Sequence, residues 1–229
     1  MIFDPIYFLF IGPAILLSLW ASWRTRSAFK KYSRVRTASG LTGAQAAELM
    51  LQRAGINDVK VVATRGMLSD HYNPLNKTLA LSEPVYGTPS VAAVGVACHE
   101  AGHAIQHATA YKPLALRSAL VPTAKFGSSL GIWVMIAGML FQTQALVGVG
   151  AVLFSAVVLF QLVTLPVEFD ASARAKKLAV EHGIVLPQER EGVDRVLNAA
   201  AMTYVAAAVS SLLTLLYYLW RSGLLGGRR

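Results

Sequence analysis

The chain has 229 residues, 55% of them hydrophobic and only 14% charged, with a mean hydropathy of +0.49. A soluble domain of this length needs a more polar surface, so the composition excludes an ordinary water-soluble globule and implies an integral membrane protein. The net charge of +9 does not call for nucleic acid, because Arg24, Arg26, Lys30, Lys31, Arg34 and Arg36 directly follow an apolar segment, where anionic lipid is the simpler partner.

Ile6 to Trp23 is apolar and aromatic and long enough to cross a bilayer core, which makes residues 1–23 a first transmembrane helix. No cation precedes the apolar run and no small-residue cleavage site follows it, which argues against a cleaved signal peptide. With the cations placed just beyond the helix, the positive-inside rule puts the amino terminus outside and the next segment in the cytoplasm.

Residues 24–118 contain no long apolar stretch and read as a soluble portion. Thr42 is an N-cap for an amphipathic helix carrying Ala46, Leu49, Met50 and Ala54 on one face and ending at Gly55. Val59 to Ala63 and Thr78 to Ser82 read as short strands, with a turn-rich segment from Asp70 to Asn76 between them. Within that segment His71 and Tyr72 are polar groups that can reach a site or bind substrate.

Ser90 then caps a helix containing Val96-Ala97-Cys98-His99-Glu100-Ala101-Gly102-His103-Ala104-Ile105. On a helix the two imidazoles share one face on adjacent turns and can chelate one zinc ion, while Glu100 is rotated about 100° from His99, beside the open position of the metal. That is a base next to a bound water, the arrangement for metal-assisted hydrolysis. Cys98, the single cysteine, excludes an internal disulfide and reads as a packing residue. His107 stands about 12 Å along the axis from His99, too far to join the same ion. The third ligand therefore comes from elsewhere.

Residues 119–165 form a nearly uncharged stretch with a polar interruption at Gln142-Thr143-Gln144, read as a transmembrane hairpin whose second span ends near Leu165-Pro166; one long helix is the alternative. Two crossings return the chain to the side of the metal helix, so residues 166–200, read as soluble helices, can complete the site. Glu168 is the favoured third ligand, since two histidines, a glutamate and a water make a catalytic zinc environment, and Asp170 is its competitor on the opposite helix face. Gln188 to Asn198 reads as a separate acidic helix after Pro187. Residues 201–220 make a fourth transmembrane helix with interfacial Tyr217, Tyr218 and Trp220, although four spans leave Arg221, Arg228 and Arg229 outside, against the positive-inside rule.

The His99-Glu100-Ala101-Gly102-His103 helix, the membrane spans after it, the Glu168-Phe169-Asp170-Ala171-Ser172 segment and His71-Tyr72-Asn73-Pro74 together resemble the YugP-type membrane zinc metallopeptidases over nearly the whole chain. More distantly the chain is similar to the HtpX-like and CAAX prenyl proteases, whose third ligand is a glutamate followed four residues later by an aspartate. This chain departs from that pattern with Ser172. The resemblance implies a mainly α fold of several transmembrane helices with a small α+β zincin-like (gluzincin) catalytic portion in the cytoplasm, in a bacterial inner (cell) membrane. It further implies an endopeptidase for peptide or protein substrates, with one zinc ion on His99, His103 and Glu168 and Glu100 as general base; Asp170 can replace the missing aspartate behind a histidine only where the local backbone departs from a regular helix. The rival reading is a non-catalytic membrane protein in which the same residues form a closed structural or sensing zinc site.

Overall fold

The computed structural model describes residues 5–226. Among them, four helices are long and apolar enough to cross a membrane: Pro5–Tyr32, Lys112–Leu140, Gln144–Glu181 and Arg190–Arg221. The chain is mainly helical, with one small three-stranded sheet.

The long helices run further than their apolar stretches. α1 (Pro5–Tyr32) continues past Trp23, so Arg24, Arg26, Lys30 and Lys31 lie on the helix rather than beyond it. No proline or glycine follows Trp23 within it, and lysine, arginine and alanine propagate a helix well. After α2 (Gly43–Arg53), α3 (Glu83–Tyr86) and α4 (Val91–Ala108), the next helical stretch begins at Lys112, earlier than expected, with Pro113 in a first-turn position that needs no N–H partner. It consists of α5 (Lys112–Phe126), a wider π turn over Gly127–Gly131, and α6 (Ile132–Leu140). The chain then turns through residues 141–143, with Gln142 at a φ of +53°.

α7 (Gln144–Glu181) continues as one helix past the expected end of the second span near Leu165-Pro166, running through Pro166 without a break. Proline removes one helical donor, the one that would have met the Leu162 carbonyl, and an apolar transmembrane-type helix tolerates that loss. The helix ends before Gly183, whose φ of +66° is the left-handed conformation glycine adopts most easily. α8 (Arg190–Arg221) likewise joins the acidic stretch and the last apolar stretch into one helix, because nothing between Val193 and Trp220 breaks it.

The chain divides into two compact units. The first comprises the described parts of residues 1–21, 115–166 and 203–229. Here α6 and α7 approach through small residues: a Cβ on Gly150 would lie 2.6 Å from the Met135 amide nitrogen, around a core of Met135, Val147, Ala151, Phe154 and Val158. Tyr7 and Phe10 meet Tyr217 edge-on, and Phe10 stacks on Trp220.

The second unit comprises residues 22–114 and 167–202. Thr42 caps α2 in a full capping box with Gln45. Strand β1 (Lys60–Thr64) pairs in parallel with β3 (Thr78–Ser82), and β2 (His71–Asn73) pairs antiparallel on its other side, with Tyr72 opposite Leu79. The sequence predicts only a turn where β2 lies, because three residues are too few to show an alternating pattern. The central β3 is almost wholly buried, and Leu79 and Leu81 join Met50, Val85, Val94, Ala97 and Ala101 in one core beneath α2 and α4.

Candidate metal centre

Ser90 accepts a hydrogen bond from the Ala93 amide at 3.2 Å and starts α4, whose faces are almost entirely buried. Small residues on this helix let α7 come very close. A Cβ on Gly102 would lie 2.7 Å from the Ala171 carbonyl oxygen and 3.3 Å from the Ala171 Cα, so the two backbones touch where only glycine fits. That approach sets Glu168, one helical turn before Ser172, against the histidines of α4.

His99 Nε2 stands 3.2 Å from Glu168 Oε2, and His103 Nε2 stands 3.5 Å from the same oxygen. The imidazole rings are 4.8 Å apart at 81° to one another. One ligand atom from each of His99, His103 and Glu168 lies within 4.8 Å of the other two. Two ligands on a tetrahedral zinc at bond lengths near 2.0–2.1 Å are separated by about 3.3–3.4 Å, so both measured nitrogen–oxygen separations fit that ion. The donor set, two imidazoles and a carboxylate, suits zinc equally well.

The far side of each imidazole is also engaged. Ser172 Oγ is 3.1 Å from His99 Nδ1, so this serine contacts a histidine of the cluster. His103 Nδ1 is 3.0 Å from Gln106 Oε1, and Gln106 Nε2 donates to the Val167 carbonyl and to Asp170 Oδ2, both at 2.8 Å. Asp170 also accepts from Arg174 Nε at 2.6 Å, and the Arg174 guanidinium lies over the Tyr111 ring. Sequence reasoning singled out neither Gln106 nor Ser172 as a histidine partner. The available signal was spacing, since Gln106 follows His103 by three, and Ser172 follows Glu168 by four, so each shares its neighbour's helix face.

Asp170 therefore points away from the three-residue cluster, toward Gln106 and Arg174. Tyr72 contacts the cluster's helix rather than the cluster: its hydroxyl is 2.8 Å from Nδ1 of His107. His71 is exposed, with Nδ1 at 2.8 Å from the Ser69 carbonyl.

Glu100 is 8% exposed and its carboxylate accepts no hydrogen bond from the described residues. Burial pushes the His103 imidazole down, but the Glu168 carboxylate and the charge of Glu100 outweigh it and hold the ring above its ordinary value. Cys98 is fully buried in the core, which pushes its thiol up to about 12. It is expected to resist alkylation by N-ethylmaleimide until the protein is denatured, and Cys98→Ala is expected to retain zinc; mass spectrometry and metal analysis check both.

These features define a class: a helical protein with four membrane-length helices among the described residues and a largely buried His-His-Glu set able to hold a metal ion. Residues 7–223 match the family described as "Putative neutral zinc metallopeptidase", and the chain belongs to that family. It is also 48% identical over 212 residues to a Bacillus subtilis (strain 168) protein named "Putative membrane protease YugP", covering 92% of this chain and 94% of that protein. No solved structure matches the chain.

Proposed function

We propose that the protein is a membrane-embedded, zinc-dependent endopeptidase whose zincin-like catalytic portion, residues 24–118 with 166–200, faces the cytoplasm. The observation that carries this reading is the His99, His103 and Glu168 set, His103 and Glu168 buried and His99 half-buried, with Glu100 next to His99 on the same helix. The family and the name of the Bacillus subtilis relative support it. The cations at the end of α1 support a cytoplasmic face for the same unit.

His99, His103 and Glu168 would hold the ion. The chemistry zinc supplies when bound is Lewis acidity, which polarises the scissile carbonyl and makes a water easier to deprotonate at neutral pH. Glu100 takes the proton of that water on its carboxylate and returns it to the leaving amine. β2 is an edge strand packed near α4, and its unpaired side can hold an extended peptide by main-chain hydrogen bonds. Asp170, the competing carboxylate, is already engaged by Gln106 and Arg174, which supports an open fourth position over a closed structural site.

Metal analysis of wild type, Glu168→Ala and Asp170→Ala side by side tests this reading. The expected result is one zinc in wild type, none retained in Glu168→Ala, and zinc still present in Asp170→Ala. Loss in Asp170→Ala with retention in Glu168→Ala would reverse the assignment.

A further inference from the structure

Gln106 is completely buried, and every polar atom of its side chain is spoken for. Its orientation is not free. The nitrogen end lies between the Val167 carbonyl and the Asp170 carboxylate, which accept and do not donate, so the amide must present NH₂ there and its oxygen to His103. That oxygen only accepts. His103 must therefore carry its proton on Nδ1, which leaves the Nε2 lone pair on the side of Glu168, 3.5 Å from Oε2. Arg174 holds the chain at its far end by donating to the same Asp170 oxygen.

His99 has no such lock. Its Nδ1 meets the hydroxyl of Ser172, which rotates and can either donate or accept, so that contact orients the ring without choosing a tautomer. One stretch of α7, Val167 to Ser172, thus supplies a ligand of the cluster and partners behind both of its histidines.

We propose that Gln106, clamped by Val167 and Asp170, is a positioning residue that fixes His103 in the Nδ1–H form before any metal arrives. His103 is the preorganised member of the set and His99 the adaptable one. This inference rests on the reading of His99, His103 and Glu168 as zinc ligands, but its decisive measurement does not need zinc.

The test uses full-length, metal-free protein in detergent, labelled with ¹⁵N-histidine and examined by NMR well above neutral pH, with His103 assigned by the signal lost in His103→Gln. Wild type is expected to show His103 with its proton on Nδ1. Gln106→Met keeps the volume and removes the acceptor, and His103 is expected to shift toward the Nε2–H form, while zinc affinity measured by chelator competition falls about 10- to 100-fold. A wild-type His103 protonated on Nε2 overturns the proposal. So does a Gln106→Met protein with unchanged tautomer and affinity. If wild type shows the Nδ1–H signature yet binds no zinc, the relay stands and the metal reading fails.

Discussion

Glu100→Gln is expected to abolish peptide hydrolysis while leaving zinc in place. The substitution is isosteric, and Glu100 is outside the His99, His103 and Glu168 set, so neither the ligands nor the packing of α4 is disturbed. What changes is the carboxylate, because an amide cannot take a proton from water at neutral pH. General-base catalysis by a positioned side chain contributes about 10²–10⁴-fold, and the variant is expected to lose at least that much. The measurement pairs cleavage of an unfolded protein substrate in detergent with zinc content of the same preparation. Wild-type activity at full zinc occupancy removes Glu100 from the mechanism; loss of zinc together with activity makes Glu100 a structural member of the site. The same comparison separates an endopeptidase from a protein that merely holds zinc, since the latter shows no hydrolysis in wild type.

The metal helix was legible because two rules agreed over one stretch. His99 and His103 have the spacing that shares a helix face, and the residues around them, largely alanine and valine, leave little doubt about the helix. Glu168 was harder, since nothing in its own neighbourhood marks a ligand. Only the need for a carboxylate after the apolar stretch points to it, and in the structure its Oε2 stands 3.2 Å from His99 Nε2. The two capping residues Thr42 and Ser90 were equally plain, because a hydroxyl ahead of an apolar helical run satisfies first-turn amides wherever it occurs.

Helix ends inside and beside the apolar stretches were not legible, and the reason is physical. Composition changes at Trp23, Pro166 and Asn198, but a change of solvent does not end a helix when the following residues still propagate it. Pro166 breaks the expected pattern without breaking α7, and the division between the two compact units nonetheless falls at that residue. The contacts behind the histidines were hidden for another reason. Gln106 reads as an ordinary polar residue near a helix end, and only the close approach of α7 buries it and turns Val167 and Asp170 toward it.

That close approach yields the second large effect: Gly102→Ala is expected to cost both the metal and the fold. A methyl group at this position would sit 2.7 Å from the Ala171 carbonyl oxygen, inside van der Waals contact, and the obstacle is backbone rather than the end of a flexible side chain. Alanine is the better helix former by about 1 kcal/mol, which favours the variant. Overpacking a well-filled contact costs about 1–3 kcal/mol, and here relief requires moving α7 itself, so the steric effect wins. Ala171 lies between Glu168 and Ser172, both of which meet the histidines across this contact. Pushing the helices apart by a few tenths of an ångström therefore stretches the Glu168 and Ser172 contacts together. Zinc affinity and thermal midpoint are expected to fall in the order Gly102→Ala, then Gly102→Val. Gly12→Ala serves as the control, because nothing lies within 4 Å of a Cβ there, so zinc affinity should not change and the thermal midpoint should not fall. A Gly102→Ala protein that melts and binds zinc as wild type does would mean that the approach of α4 and α7 is not what holds the three ligands together.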